Sequence, residues 1–581
     1  MSVLVNQVIS EIRTAIMEAA GRAVAEGEFP EAPLSDFIVE VPANRENGDY
    51  SSNCAMAWAR DLHKAPRQIA QILVNRMIIA DTFVERCEIA SPGFLNFYLR
   101  ESYNACIIQD ILEKGTLYGR SDYGKGRKIN VEFVSANPTG PMHMGNARGG
   151  ALGDCLAAVL DCAGYDVSRE FYVNDAGNQI DKFALSLDIR YRQLFEGEDA
   201  VELPEDSYHG SDIIDRAKEF AEINGDKYMN CSEQERRKAL VDYALPRNIA
   251  AMKVNMEKYR VSYDTWFLES DLHKNGEITE IINILKDNGL TYEKDGALWY
   301  KNSEILAKRL AREGKSEEDI AKLELKDEVL IRQNGNPTYF AADIAYHRNK
   351  LESRHFDKAI DIWGADHHGH VARMKGALDA IGLDGDRLEI VLMQLVNLIR
   401  DGKPVKMSKR TGKAITLDDL LEEIPIDAVR FFFNTREPGS PIDFDLDLAV
   451  SKNSENPVYY CQYAHARICS ILRKLEADGI TPRECSIPEL VLLRAPEEKE
   501  LIRHLSAYTD EIISSAKNYD SAKITRYAIE LATLFHKFYN ACRVNCGEEA
   551  LMQARISLCL CVKTVLSNIL TMFNITVPEA M

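Results

Sequence analysis

The stretch from residue 129 to residue 154 constrains the fold of this chain more than any other part of the sequence. Ile129 to Val134 is rich in β-branched and aromatic residues and runs into a loop with two prolines and a glycine, which predicts a buried strand that ends there. From Gly145 onward, apolar or small residues recur at helical spacing, and Gly164 stands where a C-terminal helix cap is expected. Strand, loop and helix together predict one half of a βαβ unit in an α/β domain.

The loop in this stretch has the composition of a phosphate-binding turn. A helix N-terminus presents unpaired N–H groups and the positive end of the helix dipole, and both favour phosphate. Gly145 lets a flat ring approach the backbone closely, and His143 would lie over the bound phosphate. The alternative is an ordinary βα turn, in which the glycines serve packing and His143 caps the helix or faces solvent.

Length and composition indicate a soluble protein of several domains. A chain of 581 residues is expected to form about three to five domains. Thirteen scattered cysteines without a C-x-x-C pair favour reduced thiols in a cytosolic setting. The mean hydropathy is −0.26, and we find no signal peptide and no apolar run near the ~20 residues that span a bilayer. We therefore expect a cytoplasmic protein without a membrane partner.

The charge balance at first opposes a nucleic-acid partner. The formal net charge is −20, whereas phosphate binding requires a positive surface. However, residues 451–581 contain fifteen Lys and Arg against fifteen Asp and Glu, so the rest of the chain carries the whole net charge. The C-terminal segment is therefore relatively basic.

The order of predicted elements divides the chain. An opening helix over residues 1–27 leads into a small α/β region. Beyond the first βαβ half, residues of about 190–260 are polar and helical and read as an insertion, and Asp295-Gly296 predicts a hairpin. The second βαβ half is expected to contain strands at Glu328 to Arg332, Lys358 to Trp363 and Leu388 to Leu392. Past residue 449, long amphipathic stretches predict helices at Val458 to Lys474, Glu498 to Lys517, Ala522 to Asn540 and Ala550 to Met572.

Two short motifs point to a known family. Pro141 to Asn146 (P-M-H-M-G-N) resembles the H-I-G-H signature of class I aminoacyl-tRNA synthetases, and Val405 to Arg410 (V-K-M-S-K-R) resembles their K-M-S-K-S signature. The pattern E-F-x-S-x-N before the first signature, and Tyr172 to Gln179 after it, resemble arginyl-tRNA synthetases of bacterial type. The resemblance extends from about residue 35 to the C-terminus.

The resemblance implies an architecture of several parts. It implies an α/β fold whose Rossmann-like class I catalytic domain, residues 121–400, contains the insertion. It also implies a small α/β N-terminal domain over residues 1–120, which contacts the tRNA elbow in that family, and an all-α anticodon-binding bundle over residues 451–581. Residues 401–450 are assigned to the K-M-S-K loop and a stem-contact region.

The resemblance also implies an activity. Members of the family ligate L-arginine to tRNA(Arg) through arginyl-adenylate, consuming ATP with Mg²⁺ and releasing AMP and diphosphate. They need no protein-bound zinc and are expected to be monomers in the cytoplasm. The family also implies that arginine is activated only when tRNA is present.

The ATP site is predicted from both signatures. His143 and Asn146 are suited to donate hydrogen bonds to phosphates, while Lys406 and Lys409 supply positive charge near pyrophosphate, and these four are the predicted catalytic residues. Taken alone, the basic run around Lys406 would be a solvated loop. The predicted ATP-binding residues are His143, Gly145, Asn146, Gly364, Asp366, Met407 and Ser408. His367, His368 and His370 follow Asp366 and are expected to line the cleft rather than bind a metal.

Arginine recognition requires carboxylates around a planar guanidinium. The resemblance assigns the guanidinium to Glu132 and Asp343, with Tyr339 packing on the arginine side chain. It assigns Ser135 and Asn137 to the amino acid end. The alternative for Asp343 is a carboxylate on a helix surface that pairs with Arg348.

Glu455 to Arg467 resembles the first helix of the family's anticodon-binding domain. Exposed Tyr and Arg side chains on that helix could stack on unpaired bases. The alternative is that Tyr459, Tyr460 and Tyr463 belong to the bundle core, and their spacing predicts that at least one does.

One position departs from the family pattern, because the second histidine of the first signature is Asn146. Asn still donates a hydrogen bond, and tryptophanyl enzymes resemble this arrangement. Two alternatives to arginine ligation are a catalytically inactive synthetase paralogue that binds tRNA, and a nucleotidyltransferase that acts without tRNA. The inactive paralogue is disfavoured because Lys406, Lys409, Glu132 and Asp343 are intact. A nucleotidyltransferase that acts without tRNA would not require the C-terminal helical bundle.

Overall fold

The protein is described by a computed structural model that covers residues 3–405 and 415–581. Its N-terminal region packs a helix against a four-stranded antiparallel sheet with the strand order β1-β2-β4-β3. The predicted opening helix is present, and its apolar stripe, which includes Val8, Ile12 and Ile16, is fully buried. The elements of this region are α1 (Val3–Ala25), β1 (Val39–Glu40), β2 (Tyr50–Ser52), α2 (Cys54–Ala57), α3 (Pro66–Arg76), β3 (Val84–Ala90), β4 (Phe94–Leu99) and α4 (Glu101–Lys114).

The central region alternates strands and helices, as the sequence predicts. Its elements are β5 (Lys128–Glu132), α5 (Met144–Cys162), β6 (Asp166–Val173), α6 (Asn178–Glu196), α7 (Ser211–Asn224), α8 (Glu233–Lys258), β7 (Thr265–Leu268), α9 (Glu269–Lys274), α10 (Glu277–Asp287), β8 (Thr291–Lys294), β9 (Ala297–Tyr300), α11 (Asn302–Arg312), α12 (Glu317–Ala321), β10 (Glu328–Ile331), α13 (Tyr339–Arg348), β11 (Lys358–Gly364), α14 (His368–Ala380) and β12 (Leu388–Met393).

Five of these strands form one parallel sheet in the order β12-β11-β5-β6-β7. From β5, the chain adds strands first on one side (β6, β7) and later on the other side (β11, β12), so the strand order reverses between β5 and β11. Open α/β sheets bind ligands at such a point, outside the carboxyl ends of the strands. This confirms the α/β class and the Rossmann-like core. The loop after β5 and the turn after β11 meet at this edge.

One predicted strand lies in a different sheet. Glu328–Ile331 (β10) was expected in the second βαβ half, but it pairs antiparallel with β9 in a three-stranded sheet β10-β9-β8. The hairpin between β8 and β9 turns at Asp295 and Gly296, whose φ angles of 53° and 74° suit a tight hairpin turn. This hairpin offers an open edge to β10, so the strand itself was predicted correctly but its place in the second βαβ half was wrong.

The chain between β6 and β7 consists mainly of helices, and a polar, helical segment was predicted in this part of the sequence. Helices α6, α7 and α8 enclose a small core of their own. Its buried apolar side chains are Phe183, Leu187, Tyr191, Ile213, Ala217, Phe220, Leu240 and Ala244.

A second small sheet follows the parallel one. Here β13 pairs antiparallel with β14 and parallel with a later strand, β15. The elements are β13 (Val396–Arg400), β14 (Lys403–Val405), α15 (Leu417–Glu423), α16 (Ile426–Phe433), β15 (Ile442–Asp445) and α17 (Leu446–Val450).

The C-terminal part is a bundle of helices, which confirms the predicted all-α region. The helix expected at Glu498 to Lys517 is divided in two near Ala507, a break for which the sequence carries no proline or glycine signal. The helices are α18 (Pro457–Ala477), α19 (Ile487–Leu490), α20 (Pro496–Ser506), α21 (Tyr508–Asn518), α22 (Ala522–Ala541) and α23 (Glu549–Met572).

Helix α23 is long and apolar enough to cross a membrane, judged by length and composition only. In the fold it packs against α4, α18 and α22, and its buried residues include Val562, Val565 and Leu566. These contacts are those of a core helix of the bundle. All thirteen cysteines are free thiols, as expected.

Candidate active site

The loop after β5 is shaped by the first residues of α5. His143 is the N-cap residue, and its Nδ1 accepts a hydrogen bond from Gly145 N at 3.1 Å. Asn146 Oδ1 accepts from His143 N at 3.0 Å, which completes a capping box. Burial lowers the pKa of the His143 imidazole, so the ring is neutral near pH 7. Because Nδ1 accepts, the ring proton lies on Nε2, which can donate to a ligand.

The end of β5 has a strained backbone. Val134 and Ser135 have φ angles of 71° and 43°, which non-glycine residues rarely adopt and which cost about 1–3 kcal/mol each. The turn directs Ser135 Oγ back to Glu132 Oε1 at 2.8 Å, while the same hydroxyl accepts from Tyr172 N at 3.1 Å. The strain therefore positions Ser135 between β5 and β6.

Beneath this edge lies a buried network of four charges. Lys350 Nζ donates to Glu132 Oε2 at 2.5 Å and to Asp361 Oδ1 at 2.8 Å, and His347 Nε2 lies 2.7 Å from Asp361 Oδ2. His347 Nδ1 faces the carbonyl of Asp343 at 2.7 Å, so both ring nitrogens face acceptors. Burial alone raises the pKa of Asp361, but Lys350 and His347 outweigh it and lower that pKa to about 2. Burial raises the pKa of Glu132 even though Lys350 opposes this. Burial lowers the pKa of His347, but Asp361 outweighs it and raises that pKa, so the network pairs two carboxyl groups with two basic side chains.

The sequence analysis missed Lys350 and His347. Helix α13 ends at Arg348, and a π-helical turn, Asn349–Ser353, carries Lys350 beneath the sheet edge, where it is fully buried. Such turns occur often at functional sites. Ser135 and Lys350 donate to the two oxygens of Glu132, the residue predicted to bind the arginine guanidinium, so both oxygens already have partners within the chain.

A cavity of about 630 Å³, which we call the sheet-side cavity, opens above this network. It brings together all five residues predicted for arginine and two predicted for ATP. Its lining residues include Glu132, Ser135, Asn137, Tyr339, Asp343, Gly364 and Asp366, and also Tyr172, Asn174, Trp363, His367 and His370.

Asp343 faces this cavity rather than a helix surface. Its Oδ2 lies 3.2 Å from His370 Nε2. Arg348, the alternative partner, instead pairs with Glu280 and Glu352. Tyr339, one turn before Asp343 on α13, is 37% exposed at the cavity wall. The alternative reading of Asp343 was therefore wrong.

Glu269 is a second carboxylate near Asp343 that the sequence analysis missed. It is buried at the start of α9, where the Tyr172 hydroxyl hydrogen-bonds to it. With its amide turned to donate, Asn174 donates to Glu269 Oε2 at 3.0 Å. Burial, together with the negative charges of Asp343 and Asp175, raises the pKa of Glu269 to about 7. The sequence signal that could have identified Glu269 is its position directly after a strand. That strand, β7, was not recognised as part of the sheet.

A second cavity of about 470 Å³, which we call the insertion-side cavity, lies beside the first and shares Val134, Ser135 and Asn137 with it. One wall is the signature loop and the other comes from the helical insertion. Its remaining lining residues are Ala136, Thr139, Gly140, Pro141, His143, Asn146, Tyr208, Gly210, Asp212 and Ile213.

The second signature follows β14 in the sequence. Lys406, Met407, Ser408 and Lys409 fall outside the described residues, so their predicted roles remain predictions. The base of the hairpin is fixed to α5 by Arg148, which is fully buried and donates to the carbonyls of Gln394 at 2.7 Å and Ser440 at 2.8 Å. Burial lowers the pKa of Arg148 to about 10, which leaves it charged at neutral pH.

The turn after β11 presents Gly364 and Asp366 at the edge of the sheet-side cavity. The Asp366 side chain is mostly exposed, at 83%. Within residues 3–405 and 415–581, no group of three or more His, Cys, Asp or Glu side chains is arranged to hold a metal ion.

A third cavity, of about 580 Å³, lies on the C-terminal bundle between α18 and α22. The Tyr459 and Tyr463 rings stack with centroids 6.2 Å apart, and Arg467 lies over the Tyr539 ring at 4.5 Å. The core of α18 consists of other residues, including Val458, Cys461, Ala464 and Ile468. Of the three tyrosines, Tyr460 is half-buried and packs against the hydrophobic core, in agreement with the prediction that at least one belongs to it, whereas Tyr463 is exposed.

Comparison with known proteins agrees with this arrangement. Three family models match the chain: "Arginyl tRNA synthetase N terminal domain" over residues 6–99, "tRNA synthetases class I (R), catalytic domain" over residues 107–436, and "DALR anticodon binding domain" over residues 461–581.

Two curated relatives match along nearly their whole length. The arginine–tRNA ligase of Acetivibrio thermocellus is 51% identical over 581 residues, covering 100% of both chains. That of Ruminiclostridium cellulolyticum is 52% identical over 576 residues, covering 99% of both. Among solved structures, Thermus thermophilus arginyl-tRNA synthetase matches with a TM-score of 0.71 at 23% identity, covering 98% of this chain and 100% of that one. This structural likeness shows the fold.

Proposed function

Because this chain belongs to the arginyl-tRNA synthetase family, we propose that the two cavities at the carboxyl edge of its parallel sheet carry out the family's reaction. The protein ligates L-arginine to tRNA(Arg). The arginine carboxylate attacks the α-phosphate of ATP to form arginyl-adenylate and release diphosphate. A ribose hydroxyl of the tRNA then attacks the activated carbonyl and releases AMP.

Arginine occupies the sheet-side cavity. A guanidinium needs carboxylates whose charge is not already neutralised. Glu132 is bound to Lys350 and Ser135, whereas Glu269 has a pKa near 7 because it is buried beside other carboxylates. We therefore assign the guanidinium to Asp343 and Glu269, and assign to Glu132 the positioning of Ser135.

The remaining arginine contacts follow the sequence prediction. Tyr339 lies at the cavity wall one helical turn from Asp343, where its ring can pack on the aliphatic part of the arginine. Ser135 and Asn137 lie on the strained turn after β5 and line both cavities, so they can hold the amino acid end. This orientation directs the arginine carboxylate toward the signature loop.

ATP binds at the point where the strand order reverses, between β5 and β11. Gly364 and Asp366 lie there and suit the ribose, and His143 Nε2–H and the Asn146 amide suit the phosphates. Lys406 and Lys409 supply further positive charge, and Mg²⁺ enters with ATP as part of the substrate. Catalysis by these groups consists of positioning and charge stabilisation, so the enzyme needs no nucleophile of its own.

The tRNA contacts more of the molecule than the cleft. Exposed Tyr463 and neighbouring Arg467 offer a ring and a guanidinium to unpaired anticodon bases. The assigned parts are residues 1–120 at the elbow, 121–400 for catalysis, 401–450 for the K-M-S-K loop and stem, and 451–581 at the anticodon. We propose that the protein acts as a cytoplasmic monomer.

The observation that carries this function is that Asp343, with Glu269 near it, lines the sheet-side cavity, while the signature loop lines the adjoining insertion-side cavity, and the two cavities share Ser135 and Asn137. The test is aminoacylation of a total tRNA pool with ATP and each of the twenty amino acids in turn. We expect charging with arginine alone. Charging with another amino acid, or charging that does not need ATP, would reject the proposal.

A further inference from the structure

Helix α14 brings one histidine against the Asp343 carboxylate of the sheet-side cavity. His370 lies in the first turn of α14, and its Nε2 is 3.2 Å from Asp343 Oδ2. Because an ionised carboxylate only accepts hydrogen bonds, the His370 Nε2–H donates. Within residues 3–405 and 415–581, no other group donates to this carboxylate, so the second oxygen, Oδ1, has no partner in that part of the chain.

The His370 ring is held by aromatic neighbours on two sides. It packs edge to face on Phe340 of α13, with ring centroids 5.8 Å apart, and lies tilted against Trp363 of β11, with centroids 5.5 Å apart. The His370 side chain is only 19% exposed. Packing on two sides restricts the ring to one orientation, so Nε2 already points at Asp343 before a ligand binds.

The Asp343 carboxylate has reasons to turn away from this orientation. Burial raises the pKa of Glu269, and the negative charge of Asp343 raises it further, so the two carboxyl groups lie close enough to repel each other. Arg373, one turn after His370 on α14, offers a competing guanidinium in the same cavity, although it pairs with Glu328 at 2.5 Å. The bond from His370 opposes both the rotation away from Glu269 and a pairing with Arg373.

The orientation of Asp343 matters because a guanidinium is planar and donates in fixed directions. With Oδ2 bound to His370, the carboxylate offers Oδ1 to the cavity. We propose that His370 is a positioning residue for arginine, which fixes Asp343 in the orientation that meets the guanidinium. The inference rests on the proposed function, which assigns the guanidinium to Asp343 and Glu269.

The first test removes the donor and keeps the ring. His370→Phe can still pack between Phe340 and Trp363, but it cannot donate to Asp343. We expect the arginine KM in aminoacylation to rise about ten- to a hundredfold, the range for a hydrogen bond to a charged group. The kcat and the KM values for ATP and tRNA should stay within about twofold of wild type. An unchanged arginine KM in this variant would overturn the proposal.

The second test restores the donor without the ring. His370→Gln places an amide nitrogen at a reach similar to that of Nε2, so its arginine KM should lie within about threefold of wild type. A Gln variant as impaired as His370→Phe would overturn the role of the hydrogen bond. The matched control is His368→Phe, because His368 lies in the same helical turn but is exposed and lines neither cavity. An equal rise in the arginine KM of this control would also count against the proposal.

The third test asks whether His370 acts through Asp343. In an Asp343→Ala background the bond is already lost, so adding His370→Phe should lower kcat/KM for arginine by less than about twofold. A merely structural role of His370 would lower it by the same factor in both backgrounds. Equal factors would therefore overturn the proposal.

The outcomes separate this inference from the proposed function. If His370→Phe does not fold, as judged by thermal unfolding, His370→Leu removes the donor with a smaller side chain and gives the same comparisons. A wild-type protein that charges no tRNA with arginine would reject the proposed function. A normal arginine KM in His370→Phe, in an enzyme that Asp343→Ala impairs, would reject the role of His370 alone.

Discussion

At the scale of single residues, Asn146 serves the fold, and we propose that it also serves the reaction. Its Oδ1 caps the first turn of α5 by accepting from His143 N. Within the described residues, no group accepts a hydrogen bond from its Nδ2, which is therefore available to ATP. An asparagine can thus replace the second histidine of the signature, because it keeps an acceptor for the cap and a donor for the phosphate.

Three variants of Asn146 separate these two roles. Asn146→Ala loses both, and we expect kcat/KM for ATP to fall about ten- to a thousandfold, or ~1–4 kcal/mol. Asn146→Asp keeps the cap acceptor but replaces the donor by a negative charge, so it should be impaired as severely. Asn146→His retains an acceptor and a donor and should keep substantial activity. Aminoacylation kinetics at varied ATP check this, and an active Asn146→Ala would show that the position makes no catalytic hydrogen bond.

If Glu269 contacts the guanidinium as we propose, arginine binding should depend on pH. Its pKa is raised to about 7, so it is protonated below that pH and ionised above it. Because the guanidinium binds the ionised form, the arginine KM should rise as pH falls through 7, by up to about tenfold per pH unit. We expect Glu269→Gln to raise the KM at pH 8 and to remove this dependence.

The control for this measurement is Glu293→Gln, which changes an exposed carboxylate of β8. It should reproduce the wild-type profile. A Glu269→Gln enzyme with the wild-type KM at every pH would place the guanidinium elsewhere.

At the scale of elements, the parts predicted well were those with local signals. The β5–α5 unit, the hairpin at Asp295 and the amphipathic helices of the bundle follow from residue periodicity and turn chemistry. The sheets to which β7 and β10 belong were not predicted correctly. Each strand has only four residues, which is too short to show a clear periodicity, and the sheet that it joins depends on which sheet edge is open. The residues predicted for arginine lie with Gly364 and Asp366 in one cavity, and His143 and Asn146 line the adjoining one. The charge partners of Glu132 and Asp361 come from the end of α13 and its π-turn, which no local signal announces, and Glu269 follows a strand that was not recognised.

The buried network joins α13 and its π-turn to β5 and β11. Lys350→Met should destabilise the protein by about 3–5 kcal/mol, because it leaves Glu132 and Asp361 with one cation between them. The matched control is Lys308→Met, which breaks an exposed pair with Glu304 and should cost less than about 1 kcal/mol. Calorimetric unfolding measures both. Equal unfolding temperatures for the two variants would show that the network adds no stability.

At the scale of the whole molecule, the domains are joined by buried polar contacts. Arg430 is fully buried and donates to the carbonyls of Phe573 at 2.7 Å and Tyr259 at 3.1 Å, and it pairs with Asp154 of α5. The helix that carries the signature is therefore tied to the C-terminal tail. The net charge of −20 does not prevent tRNA binding, because basic side chains such as Arg467 and Arg473 line the bundle surface.

This arrangement assigns each substrate to its own surface. Asp343 lines the cavity that we propose for arginine, and Arg467 lies on the bundle, so changing either residue is expected to leave the KM for the other residue's substrate unchanged. Arg467→Ala is therefore the matched control for a change at Asp343. It should raise the tRNA KM without changing the arginine KM.

The most direct test of arginine selection by the sheet-side cavity is to measure the arginine KM of Asp343→Ala in tRNA aminoacylation. Removing one charge partner of a desolvated guanidinium costs about 2–5 kcal/mol, so the KM should rise about thirtyfold to several thousandfold. The KM values for ATP and tRNA should remain near wild type, and thermal unfolding should confirm the fold. An arginine KM equal to that of the wild-type enzyme would contradict the assignment of this cleft as the arginine site.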